Sequence, residues 1–146
     1  MNTAFAYGKE PRKFFLIDEP IKYGDLTGDG REEAVVVLGI ITSGTARPGA
    51  LFVYTMDHGK PTRLFALETG DRWDHGYYNA YIQNSVLVVE RYKPYTAVFR
   101  GEKHDMSSSS FYIRDYYEWS GARFRKTKSR TVPVDRNDSA PWAHRI

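Results

Sequence analysis

Between residues 25 and 33 the chain reads Asp-Leu-Thr-Gly-Asp-Gly-Arg-Glu-Glu, which sets oxygen donors at alternate positions of a turn. Asp25, Thr27 and Asp29 supply side-chain oxygens, Gly30 allows a sharp bend, Arg31 offers its backbone carbonyl, and Glu33 adds a carboxylate. That is the spacing of a calcium loop, since Ca²⁺ takes about six to eight oxygens from alternating positions of a tightly bent segment. Thr27 brings a neutral hydroxyl to the third place, and Val36 occupies the place where an EF-hand carries its bidentate Glu. The turn also leads into a strand, which excludes a helix–loop–helix site. The competing expectation is a plain structural turn, because Asp side chains in such loops accept hydrogen bonds from nearby backbone N–H groups.

Other chemistry is thinner. The segment Gly70–Gly76, GDRWDHG, offers Asp71, Asp74 and His75 as a carboxylate–imidazole set or as metal ligands, with Trp73 as an exposed contact, and Asp57-His58-Gly59 repeats the pattern. Both lie where turns are expected, and turns favour Asp and Gly for backbone reasons. Glu90 and Asp115 are isolated carboxylates on apolar strands. A hydrolase reading would join one of them to the 71–75 loop, because carboxylate catalysis of glycoside hydrolysis needs a pair about 5–9 Å apart. The commoner role is a carboxylate paired with one of the many arginines. No nucleophile elbow, phosphate-binding loop, zinc-protease or dinucleotide motif is present.

The elements that must position these groups are strands. Ala34 to Ile41 is a continuous apolar or small run rich in β-branched residues, which predicts a central strand buried on both faces. Further strands are expected at 14–17, 50–56, 62–68, 77–83, 86–92, 111–119 and 122 to about 128, with hairpin turns at 57–60 and 84–85 and a short strand at 96–99 inside a surface excursion spanning 93–110. No stretch keeps helical spacing beyond two turns. The fold class is therefore all-β: one antiparallel domain of about seven to eight short strands, a curled sheet, barrel or sandwich, over residues 1–132, followed by an extended tail at 133–146. Val35, Val37, Leu38, Val53, Leu64, Leu67, Ile82, Leu87, Val89, Ile113 and Trp119 are expected in its core.

The formal net charge of +3 is local: Arg123, Arg125, Lys126, Lys128 and Arg130 contribute five positive charges with no acid between them, leaving −2 for the remainder. A general nucleic-acid or membrane-binding charge is therefore not expected. Eleven tyrosines and three tryptophans beside this basic strand would suit stacking on sugars or single-stranded nucleic acid, yet tyrosine is equally a favoured strand residue, and that explanation is preferred. No cysteine is present, so any metal must be held by oxygen or histidine. No apolar run approaches the ~18–20 residues of a membrane span. The first fifteen residues lack the apolar stretch of a signal peptide, which leaves a cytoplasmic protein or one numbered after a removed signal.

DLTGDGREEAVVVL resembles the loop and strand of FG-GAP or VCBS-type repeats, which bind calcium in β-propellers, though only one copy is present. Together with LFVYTMDHGKPTRLFALETGDR, YIQNSVLVVERY and YYEWSGARF, over about residues 23–125, it also resembles small β domains of exported bacterial proteins. The resemblance implies ligand roles for Asp25, Asp29, the Arg31 carbonyl and Glu33, with Thr27 departing from the usual Asn or Asp. It implies an extracytoplasmic location and a calcium-stabilised, non-catalytic recognition or structural module, with a protein or a cell-envelope glycan as partner. Nothing in it implies an activity.

Overall fold

The computed structural model describes residues 13–17, 20–41, 48–70, 76–93, 95–99, 101–106 and 111–133. Among them are eleven strands and no helix: β1 (Lys13–Leu16), β2 (Lys22–Gly24), β3 (Glu33–Ile41), β4 (Gly49–Asp57), β5 (Lys60–Thr69), β6 (Tyr77–Gln83), β7 (Val86–Tyr92), β8 (Tyr95–Phe99), β9 (Glu102–Met106), β10 (Phe111–Trp119) and β11 (Phe124–Pro133). The all-β antiparallel expectation holds, and the architecture is two stacked sheets rather than a closed barrel. The first sheet runs β1-β3-β4-β5, with β2 also paired to β3, and the second runs β11-β10-β7-β6. β8 and β9 form a separate ribbon.

β3 is central, as its composition requires. β1 and β2 share its outer edge, β1 opposite Leu38–Ile41 and β2 opposite Glu33–Val35. Side chains alternate across a strand, so Val35 and Val37 face the second sheet while Val36, Leu38 and Ile40 face away and stay half-buried. The strand is thus fully buried on one face only. Between the sheets, Leu26, Val35, Val37, Leu51 and Val53 meet Tyr77, Ala80, Leu87, Val89, Tyr117 and Phe124, with Leu64, Leu67, Ile82 and Trp119 packed at the margins. The sheets approach closely at β2 and β6, where a Cβ on Gly24 would come within 3.0 Å of the Ile82 Cδ1.

Both expected hairpins form. His58 (φ 48°) and Gly59 (φ 77°) turn β4 into β5, and Asn84 (φ 51°) and Ser85 (φ 60°) turn β6 into β7. Two consecutive positive φ angles mark the turn whose twist matches a hairpin, and it favours Asn-Gly. A non-glycine residue held there costs about 1–2 kcal/mol. Ser85→Gly is expected to stabilise the protein by roughly 0.5–1 kcal/mol, read as a higher urea midpoint with unchanged slope.

Several expectations need correction. β11 continues to Pro133, past the expected end near Lys128, and the ribbon β8–β9, turned at Gly101, occupies much of the 93–110 excursion. Strand β2 and strand β9 were not expected. Leu38 pairs opposite Ala50 on the outer face of the first sheet, so it lies outside the inter-sheet core, and Ile113 is only half-buried. Of the tail expected at 133–146, Pro133 is the last residue of β11 and residues 134–146 lie outside the described residues.

Candidate functional site

The acidic turn is closed by its own backbone. Asp25 accepts from the Gly28 N–H at 2.6 Å and the Gly30 N–H at 2.9 Å, one with each carboxylate oxygen. Asp29 accepts from the Arg31 N–H at 2.9 Å and, on its other oxygen, from Arg31 Nε at 3.0 Å and Nη2 at 2.6 Å. Arg31 Nη1 donates to the Met56 carbonyl at 3.0 Å, which fastens the turn to the end of β4. Hydrogen bonds from Arg31 hold the Asp29 carboxyl below its ordinary value, and the same pairing raises Arg31.

Glu33 behaves differently from the other two carboxylates. Its side chain is buried and turned inward, where Oε2 accepts from the Leu26 N–H at 2.8 Å and the Thr27 N–H at 3.0 Å. Leu26, 2% exposed, plugs the core beneath the turn. Of the five residues expected as cation ligands, Asp25, Thr27, Asp29, Arg31 and Glu33, each carboxylate therefore has donors within the turn. A guanidinium sits on Asp29, where a cation would need the oxygens free. Among the described residues no three His, Asp or Glu side chains come together to hold a metal ion. The turn is thus closed by N–H donors on each of its three carboxylates, Asp25, Asp29 and Glu33.

Beside the turn lies a shallow cleft of about 220 Å³ lined by Thr27, Asp29, Arg31, Thr55, Leu64 and Trp119. The turn supplies its polar wall, β4 and β5 supply Thr55 and Leu64, and the end of β10 supplies Trp119. The Trp119 ring is fixed edge-on against Phe124, with centroids 5.2 Å apart. Asp29 and Arg31 stay partly open to solvent, at 38% and 62% side-chain exposure. In the sequence Trp119 reads as core, and nothing in its spacing announces that it meets the acidic turn; the two are joined only by sheet stacking.

The carboxylates of the second sheet are paired with arginines, on opposite faces. Asp115 stands opposite Val89 on the inner face, fully buried, and accepts from Arg91 Nη2 at 2.6 Å, with Lys126 Nζ 3.8 Å away. Glu90 lies on the outer face, where it accepts from Arg114 Nε at 2.7 Å and from Asn79 Nδ2 at 3.4 Å. Burial lowers the Arg114 pKa, but the bond to Glu90 and its charge outweigh that and leave it raised. Burial first, and then the Asp115 charge, raise Tyr117. Glu90 and Asp115 point to opposite sides of one sheet, so they cannot serve one substrate together. Asp71, Trp73, Asp74 and His75 lie outside the described residues; Gly70 and Gly76, which bracket them, are bridged. Asp57 and His58 hydrogen-bond at 2.6 Å on an exposed hairpin tip, with no enclosure around them.

The basic segment is split as well. Lys126 turns toward Asp115 on the inner face, whereas Lys128 stands opposite Tyr116 on the outer face, its ammonium 5.4 Å from the ring centroid. Five positive charges that are clustered in sequence thus do not make one surface. Among the described residues no helix is long and apolar enough to cross a membrane. Set beside protein-family models, curated proteins and solved structures, the chain matches none of them.

Proposed function

We propose that the protein is a non-catalytic recognition module working outside the cytoplasm, and that it receives one ring of a cell-envelope glycan in the cleft over Trp119. The composition of that cleft carries the reading. An indole and Leu64 form an apolar floor, while Asp29, Arg31, Thr27 and Thr55 set polar groups around it. An apolar floor with a few convergent polar groups is the usual make-up of a small-molecule site. Sugar rings match it, because their C–H faces lie on aromatic rings while their hydroxyls reach carboxylate, guanidinium and hydroxyl partners. The cleft is smaller than the ~300–1,000 Å³ that encloses a drug-sized ligand, which suits one ring of a longer chain. The polar wall is held by four hydrogen bonds from Arg31, so little order is lost on binding.

The non-catalytic part rests on the separate arginine partners of Glu90 and Asp115, and the location outside the cytoplasm rests on the resemblance of residues 23–125 to exported β domains. The experiment is a titration with the N-acetylglucosamine–N-acetylmuramic acid disaccharide, following the Trp119 indole N–H by ¹⁵N NMR. A saturable shift is expected up to ~10 mM ligand, with the disaccharide recovered intact, and binding followed by calorimetry is expected to be lost in Trp119→Ala. An unmoved Trp119 signal would reject the ligand class, and cleaved disaccharide would reject the non-catalytic reading.

A further inference from the structure

The edges of the two sheets are not alike. In the first sheet, β1 and β2 are only four and three residues long, and β5 carries Pro61 with charges of both signs, Arg63 and Glu68. In the second, β6 has the Lys22 ammonium seated on its Ala80 carbonyl at 2.5 Å. Short strands, prolines and covered backbone groups are the usual means of blunting an edge. β11 has none of them before Pro133. It is ten residues long, pairs with β10 on one side, and is paired with no strand on the other among the described residues. In an antiparallel ladder alternate residues turn their N–H and C=O away from the neighbouring strand, so this edge presents a row of open donors and acceptors.

The charge along that edge is uncompensated. Register places Arg125, Lys128 and Arg130 on the outer face of the sheet and Lys126 on the inner, and all four are exposed. Arg130 stands directly opposite Arg114, and like charges so placed repel. The acids of this sheet are engaged elsewhere: Glu90 holds Arg114, Asp115 holds Arg91, and Glu118, opposite Arg125, accepts from Thr127 Oγ1 at 2.8 Å. Among the described residues neither Arg125 nor Arg130 has an ion pair.

We infer that the free edge of β11 takes up an extended acidic segment of a partner protein as an added strand, its backbone continuing the ladder and its Asp or Glu side chains answering Arg125, Lys128 and Arg130. Strand addition draws affinity from main-chain hydrogen bonds and specificity from alternate side chains. The extra residue Thr127 interrupts the register between Lys126 and Lys128, which leaves Lys128–Val132 as the regular stretch for pairing. Side chains alternate, so acids at every second position of the incoming strand meet Lys128 and Arg130, while the residues between them lie beside Ser129 and Thr131 and suit small or hydroxyl side chains. The same charges reject a second copy of this chain, which would set lysine and arginine against lysine and arginine.

The test titrates the full chain into a labelled peptide, Thr-Glu-Thr-Glu-Val-Glu-Thr-Glu-Thr, by fluorescence anisotropy at low salt, with hydrogen exchange of the β11 amides measured alongside. Binding is expected with a Kd on the order of 10–100 µM, and alternate amides of Lys128–Val132 are expected to exchange more slowly in the complex. The double variant Lys128→Glu with Arg130→Glu, shown folded by circular dichroism, is expected to bind at least about tenfold more weakly and to accept instead the peptide with Lys in place of Glu. No binding below ~1 mM overturns the proposal, as does a double variant that still prefers the acidic peptide. Inorganic polyphosphate bound as tightly as the peptide, with the β11 amides protected by neither, also overturns it and assigns the edge to polyanions. Should the double variant be unfolded, the wild-type exchange pattern decides alone. Disaccharide binding at the Trp119 cleft is read with a different ligand, so failure of one proposal does not bear on the other.

Discussion

Arg91→Ala is expected to lower stability by about 3–5 kcal/mol, the range for removing one partner of a buried ion pair and leaving the other charge unpaired. The Asp115 side chain is 0% exposed and Arg91 17%, and their contact is 2.6 Å. After the substitution Lys126, at 3.8 Å and 48% exposed, is the cation that remains facing the carboxylate among the described residues. The site already runs short of partners, because Asp115 Oδ1 and Arg91 Nε are buried without a hydrogen bond. For a chain of this size the loss corresponds to a melting-temperature drop on the order of 10 °C. The double variant Arg91→Met with Asp115→Leu removes both charges and their desolvation cost, and is expected to be neutral or more stable than wild type. Arg114→Ala on the opposite face is expected to cost less, because Glu90, though only 4% exposed, keeps the Asn79 Nδ2 donor at 3.4 Å and loses a guanidinium that was itself 27% exposed. Urea denaturation of the four proteins decides the matter. Arg91→Ala within about 1 kcal/mol of wild type would show that water replaces the guanidinium and that the pair is not a structural lock.

The same pair shows how far the chain's order of residues can be read. Alternation along 111–119 places Asp115 on the side of Tyr117 and Trp119, and an arginine partner was the commoner expectation; what alternation cannot supply is that Arg91, two strand positions beyond Val89, shares that side. Hairpins were legible because turn chemistry is local: Gly59 and Asn84 have the residue types that accept positive φ. β2 was not, since Lys22-Tyr23-Gly24 is too short to show a period and forms only because β3 offers an unpaired edge. β9, Glu-Lys-His-Asp-Met, has no apolar alternation and is held by pairing with β8. Val37 and Leu38 were both expected in the core because the strand reads as buried on both faces; alternation sends them to opposite sides, and only the side of Val37 meets the second sheet. The cleft was the least legible feature. Asp29 and Trp119 are far apart in sequence and belong to different sheets, so their meeting depends on how the sheets stack.

Glu33→Ala is expected to be the most damaging substitution in the acidic turn, at about 3 kcal/mol, because a hydrogen bond to a charged group contributes roughly 1.5–3 kcal/mol and two backbone donors lose theirs together. The Leu26 N–H is the critical one. It belongs to a residue 2% exposed, so water does not reach it freely, and an unpaired buried donor retains its full desolvation penalty. Leu26 would then leave the core or stay at a cost, and either outcome loosens the start of β3, where Gly24 pairs with Glu33. Glu33→Gln keeps an accepting oxygen of the same reach and is expected to lose about half as much. Because N–H donors within the turn already hold Glu33, wild type is expected to melt at the same temperature in millimolar calcium and in chelator. The expectation fails if calcium raises the melting temperature by several degrees, the effect of free cation at ~100 times its dissociation constant, and if Asp29→Asn removes that rise. In that case the turn opens its Arg31–Asp29 pair to admit the ion, and the Glu33 deficit should shrink when calcium is present; if the turn is self-closed, the deficit is the same in both buffers.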